Sequence, residues 1–194
     1  MDEQAKNKWN NIYADVDINR QSVSRVIEEN SHLLPAHGRA LDLACGTGGD
    51  AIYLAKKGLT VDAWDISDAV IEKLSLFALD KGLPINAEAR DINETPPLND
   101  SYDVIAVAHF LERDLMPTLI QSLKPGGLIY YQTFSKAVTS SYTGPKNPAF
   151  RLDENELLGL FNELQLVVYR EEGLLGDLQH GFRNEVMYVG QKKL

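Results

Sequence analysis

An apolar run that ends in glycines and passes at once into a helical pattern constrains this chain more than any other feature. Leu41-Asp42-Leu43-Ala44-Cys45 reads as a strand, Gly46-Thr47-Gly48-Gly49 as a turn, and residues 50–57, with apolar Ala51, Ile52, Leu54 and Ala55, as a helix. Glycine permits the sharp turn and lets a ligand approach the backbone closely. The unit therefore predicts a sheet with helices on its faces and a ligand site where the strand ends.

The rest of the chain repeats the alternation. A helical pattern over 20–34, ended by Pro35 and Gly38, precedes the sheet. Further strands are expected over 60–66, 85–92, 102–110, 128–134, 165–170 and 185–190. Helices are expected over 67–81, with Ser67 as N-cap, over 112–123, with Pro117 in its first turns, and over 154–164. This order predicts one α/β domain over 1–194, a doubly wound, mostly parallel seven-stranded sheet with helices on both faces. The link over 171–184 is short for a crossover helix, so the last strand is expected to pair antiparallel. Residues 1–38 form a helical cap in this reading. Residues 135–152 carry Gly144, Pro145 and Pro148 without periodicity, which makes them a candidate substrate loop.

Composition removes several function classes. A chain of 194 residues with a formal charge of -9 lacks the clustered cations that grip phosphates, so neither nucleic acid nor an acidic membrane surface is an expected partner. A single cysteine, Cys45, leaves no internal disulfide and no Cys-rich zinc site, and no metal is implied. Residues 1–11 are polar and no segment is apolar for the length of a bilayer, so the cytoplasm is the expected location, as monomer or homodimer.

The glycine turn alone is ambiguous. Gly46-Thr47-Gly48-Gly49-Asp50-Ala51 also satisfies the dinucleotide pattern G-x-G-x-x-A, and Asp65 closes the next strand as an acid does for an NAD ribose. Other residues separate the readings: Asp42 inside the first strand, Asp91 in Ala89-Arg90-Asp91-Ile92-Asn93, and Tyr102-Asp103-Val104-Ile105-Ala106 followed by Lys124-Pro125-Gly126-Gly127-Leu128. In that order over nearly the whole chain, these motifs resemble the class I S-adenosylmethionine (SAM)-dependent methyltransferases. Val61-Asp62-Ala63-Trp64-Asp65 and Trp9-Asn10-Asn11-Ile12-Tyr13 are similar to the tellurite-resistance and thiopurine methyltransferase-like group of small bacterial enzymes.

The resemblance implies SAM as cofactor and a small-molecule methyl acceptor, such as a thiol or a metalloid oxyanion. It places the methionine end of SAM on Ala44, Gly46, Thr47 and Gly48, ordered by Asp42, and the ribose hydroxyls on Asp65 beside Ile66. Adenine falls to Asp91 and Ile92, and the sulfonium to the neighbourhood of Ala108 and His109. Trp9, Tyr13 and Arg20 would close over the cofactor, and His109 is the nominee for a base where the acceptor needs one. Two departures stand out. Ala44 replaces the first glycine often seen in the loop, and the basic pair of the tellurite enzymes' last loop is matched only loosely by His180 and Arg183.

An NAD-dependent oxidoreductase and a non-catalytic SAM-binding protein remain as competing readings. A short-chain dehydrogenase needs Tyr-x-x-x-Lys on a helix. Tyr142 and Lys146 enclose Gly144 and Pro145, and Tyr53 and Lys57 lie on the first crossover helix, so neither pair suits that chemistry.

Overall fold

The computed structural model describes residues 3–194. Its strands are β1 (Gly38–Leu43), β2 (Leu59–Asp65), β3 (Ile85–Ala89), β4 (Tyr102–Ala108), β5 (Leu123–Phe134), β6 (Gln165–Arg170) and β7 (Glu185–Gln191). They form one sheet in the order β3-β2-β1-β4-β5-β7-β6. β7 runs antiparallel to both of its neighbours and the other pairings are parallel, as the sequence predicts.

Side chains alternate between two buried layers. Leu41, Ile105, Ile129, Tyr131, Phe161 and Tyr188 belong to one core, while Ala40, Leu54, Val61, Val104, Tyr130 and Val189 belong to the other. Central parallel strands bury both faces, which explains the near-continuous apolar runs of β1 and β4. The helices α3 (Gly49–Lys56), α4 (Asp68–Lys81), α5 (Met116–Ser122) and α6 (Glu156–Leu160) follow β1, β2, β4 and β5 in the chain. Ser67 caps α4 as expected, its Oγ accepting from Val70 N at 3.4 Å. The helix expected over 112–123 starts as a 3-10 turn at Arg113–Leu115 before α5, and that over 154–164 shortens to α6.

The amino-terminal segment differs most from its sequence reading. The helix expected over 20–34 is broken into a 3-10 turn at Ile18–Arg20, a short α2 (Arg25–Glu29) and a second 3-10 turn at Ser31–Leu33. Its first amides are claimed by buried side chains of the domain instead of by a preceding turn. Ser24 N donates to Asp50 Oδ1 at 2.7 Å and Val26 N to Gln132 Oε1 at 2.8 Å. An additional helix, α1 (Glu3–Tyr13), has no buried residue and docks on α4 through polar contacts. Asn10 Oδ1 accepts from Ser67 Oγ at 2.7 Å and from Ala69 N at 3.2 Å, and Lys6 pairs with Asp68 at 2.7 Å. Lys73 donates to the carbonyls of Tyr13, Ala14 and Val16 at 2.6 to 3.0 Å, which satisfies the otherwise open end of α1.

The long loop over 135–152 leaves and rejoins the sheet at one place. Ser135 and Leu152 form a bridge, Lys136 N donates to Leu152 O and Leu152 N to Phe134 O, both at 2.9 Å. Among the described residues, no helix is long and apolar enough to cross a membrane.

Candidate functional site

The order of strands reverses between β1 and β4, and their carboxyl ends bound the crevice where open α/β sheets hold ligands. The residue after each strand is left-handed: Ala44 at φ 54° and His109 at φ 57°. An L-residue is strained there, so glycine at the Ala44 position of the loop has a physical reason. Gly46 and Gly48 continue the turn at φ 50° and 77°. A Cβ on Gly48 would meet Leu74 Cδ1 at 2.5 Å, and one on Gly49 would meet the Ser22 carbonyl oxygen at 2.0 Å. The turn is thus packed from α4 on one side and from the amino-terminal segment on the other.

Asp42 reaches past the glycines and accepts from Ala51 N at 2.8 Å, tying β1 to the first turn of α3. Burial, with Asp50 and Asp65 close by, pushes its carboxyl well above the usual range. Burial also raises Asp50, against the opposing hydrogen bond from Ser24. Cys45 is free and its thiol is pushed up by burial and by Asp42 and Asp65, so it is a poor nucleophile.

Asp65 is the hinge of the site. Its Oδ2 accepts from Gly46 N and its Oδ1 from Ser67 N, both at 3.0 Å, so one carboxylate joins the glycine turn to the start of α4. A carboxylate has about four acceptor sites, so capacity remains for a ligand hydroxyl. Burial raises its pKa, and the amides of Ser67, Gly46 and Ile66 partly offset this. Tyr13 lies over the turn, its Oη 2.9 Å from where a Gly46 Cβ would stand. Burial and then Asp65 push the Tyr13 phenol upward, so it stays a neutral donor. Trp9 stacks on Tyr13 with ring centroids 5.7 Å apart. Ile66 and Thr47 are half-buried.

Other residues are placed with more scatter. Asp91 follows β3, where its Oδ1 accepts from Asn93 N at 3.0 Å, and Ile92 is buried in the same core as Trp64 and Leu43. Ala108 ends β4, half-buried opposite Gln132. Arg20 is not brought to the crevice; its side chain is 88% exposed and its nearest acid is Asp17 at 3.6 Å. Asp103 and Lys124 pair at 2.7 Å at the opposite, amino-terminal edge of β4, so that motif holds the sheet and does not touch the crevice.

On the far side of His109 lies a cluster that the sequence does not advertise. His109 Nε2 meets Glu185 Oε1 at 3.1 Å, Gln132 Nε2 donates to the other Glu185 oxygen, and Gln132 Oε1 takes the Val26 amide. The His109 ring lies 4.9 Å from Phe134, which in turn is met edge-on by Tyr142 of the 135–152 loop at 5.8 Å. The hydrogen bond to Glu185 raises the His109 pKa, and the same contact lowers that of Glu185 against its burial. Gln132 interrupts the apolar run of β5, and that interruption is the one signal by which the cluster could have been found.

The late-loop basic pair serves the loop itself. Arg183 donates to the carbonyls of Glu172, Gly173, Asp177 and His180 at 2.7 to 3.2 Å, and His180 pairs with Asp177 at 2.8 Å.

Comparison with known proteins fits this geometry. The family described as "Tellurite resistance protein TehB" matches residues 5–186. The chain belongs to the TehB family. "Hemagglutinin 1" of Eikenella corrodens is 33% identical over 140 residues, covering 69% of this chain and 46% of that protein. "Probable S-adenosyl-L-methionine-dependent methyltransferase TehB" of Haemophilus influenzae is 29% identical over 147 residues, 72% of this chain and 50% of the relative. The chain thus spans about half the length of the curated relatives it matches. The crystal structure of H. influenzae TehB superposes with a TM-score of 0.72 at 23% identity, over 90% of this chain and 64% of that one. A SAM-dependent methyltransferase from Aquifex aeolicus superposes at 0.68 and 15% identity, over 98% of both chains. At these identities the likeness establishes the SAM-dependent methyltransferase fold for this TehB-family chain.

Proposed function

We propose that this chain binds SAM in the β1–β4 crevice and transfers its methyl group to a small-molecule nucleophile. The observation that carries the reading is Asp65, a buried carboxylate at the end of β2 that spans the glycine turn and the α4 start.

The residues fit the cofactor in three further respects. The turn has no side chain at Gly46, Gly48 and Gly49, and the start of α3 favours a carboxylate. Asp42 and Asp50, both buried with raised pKa values, favour a cation between them and Asp65, as the methionine ammonium would be. Gln21 Oε1 is buried without a partner on the segment that packs over Gly49. In this reading Asp65 takes the ribose hydroxyls, Asp91 and Ile92 the adenine, Ala108 and His109 the methyl end, and Tyr13 with Trp9 covers the cofactor from above.

Bound SAM supplies a methyl group already made electrophilic by its sulfonium. The chain's share of the work is alignment and exclusion of water, which in good intramolecular cases contributes about 7–11 kcal/mol. Tyr13 excludes water above the turn, and Phe134 with Tyr142 walls the acceptor side.

Incubation with SAM carrying a labelled methyl group, against thiols, phenols, metalloid oxyanions, amines and carboxylates, tests the proposal. Label is expected in a small molecule. Label appearing only in RNA or protein, or a response to NADH with none to SAM, contradicts it.

A further inference from the structure

The cluster at the carboxyl ends of β4 and β5 and the start of β7 has the form of a base oriented by a carboxylate. Glu185 Oε1 occupies His109 Nε2 at 3.1 Å, and Glu185 is fixed in turn by Gln132. Gln132, which is 3% exposed, is fixed by the Val26 amide at 2.8 Å. Each group in this chain is held by the next, so Nε2–H points at Glu185 and the Nδ1 lone pair is left for another partner. A nucleophile's base held by a third group is the arrangement that activates a protonated acceptor. His109 also keeps a left-handed φ of 57°, a strain that sites retain where a side chain must be aimed.

The charges around it point the same way. Glu185 from β7 and Asp50 from α3 face His109, and Arg25 from α2 acts on Glu185. Arg25 is itself bound to Glu29 at 2.8 Å and lies 4.8 Å over the Phe182 ring. Lys136 pairs with Asp153 at 2.8 Å, Arg183 is spent on four carbonyls, and Arg151 lies 5.6 Å over the Tyr142 ring with Nη2 on the Lys146 carbonyl. An anionic acceptor would meet two carboxylates and cations already committed elsewhere. An uncharged molecule with an apolar body would meet Phe134 and Tyr142.

We propose that His109, positioned by Glu185 and Gln132, takes the proton of an uncharged hydroxyl or thiol acceptor during methyl transfer, and that oxyanions are poor substrates. The inference rests on the SAM reading above. A lone pair of the acceptor oxygen or sulfur forms the bond to the methyl carbon, and the carbon–sulfur bond breaks with its pair going to sulfur. The acceptor's proton passes to His109 Nδ1. Glu185 and Gln132 are positioning residues.

Two measurements on the intact chain decide it. In the first, histidine resonances are followed by NMR against pH. His109 is assigned by its loss in His109→Asn, a residue that tolerates the left-handed backbone. Its midpoint is expected above the ordinary value of about 6.5 and should fall in Glu185→Gln, which removes the charged partner. In the second, SAM binding is measured by calorimetry and turnover is measured with a thiol, a phenol and tellurite. His109→Asn is expected to lower kcat for thiol or phenol about 100-fold, far beyond any accompanying change in SAM affinity. The acid limb of the rate profile should move down in Glu185→Gln with the NMR midpoint. Turnover indifferent to His109→Asn, a midpoint indifferent to Glu185→Gln, or tellurite as the preferred acceptor overturns the inference. Absence of SAM binding by the wild-type chain overturns the methyl-transfer reading instead, and is seen as a flat calorimetric titration.

Discussion

The two halves of the crevice are built differently. On the β1–β2–β3 side, the proposed ligand contacts come from residues at most a few positions from a strand end, such as Gly46, Asp65 and Asp91. On the β4–β5–β7 side, His109, Gln132 and Glu185 come from three strands and depend on an amide of α2. The first half is a set of local turns held by carboxylates; the second is a relay held by tertiary packing. The contrast teaches that the first half depends on backbone turns near the strand ends, while the second depends on single polar side chains of neighbouring strands and is open to change one residue at a time.

The largest expected effect separates the halves outright. Asp65→Ala removes a carboxylate that holds two amides and is assigned two ribose hydroxyls, with charged hydrogen bonds worth about 1.5–3 kcal/mol each. SAM affinity measured by calorimetry should fall about 100-fold or more. In Glu185→Gln it should not change. Equal losses in both variants would break the comparison.

The next test uses the sign of a pKa shift. Asp42 has a folded pKa raised above its unfolded value by burial and by Asp50, so its charged form opposes folding. That penalty is absent below the unfolded pKa, grows as pH rises toward the folded pKa, and is complete above it. Asp42→Asn keeps an acceptor for Ala51 N, so its ligand-free Tm should exceed wild type at mildly alkaline pH, with the gain vanishing in acid. Its SAM affinity should fall. A Tm gain that grows on acidification would contradict the assignment.

Lys73→Met probes α1, the proposed cover of the cofactor half. Loss of its three carbonyl contacts should free α1, seen as faster amide exchange over 3–13 and a few-fold weaker SAM binding, while the His109 midpoint stays fixed. The smallest effect belongs to Leu79→Ser. Leu79 is 80% exposed on α4, and the change in unfolding free energy by denaturant titration should stay within about 0.5 kcal/mol.

The same contrast explains what was legible in the sequence. β1, α3, β2 and α4 carry contiguous apolar periods, and their site residues sit at the ends, so Gly46, Asp65 and the Ser67 cap could be read directly. α1 is polar with no buried face, and it is held by Asn10 and Lys73, whose partners are some sixty residues away, so no period reveals it. The helix over 20–34 failed for a related reason: Asp50 and Gln132 take the amides of Ser24 and Val26. The resemblance places Arg20 over the cofactor, whereas its side chain turns to solvent. Glu185 opens an ordinary-looking strand, and only pairing with β5 brings it to His109.

The account stands or falls on the cofactor half. Calorimetric titration of the intact chain with SAM and with S-adenosylhomocysteine, beside Asp65→Ala, tests it most directly. The account predicts saturable binding of both well below millimolar, lost in the variant. Flat titrations with both ligands, or binding that Asp65→Ala leaves untouched, would contradict it.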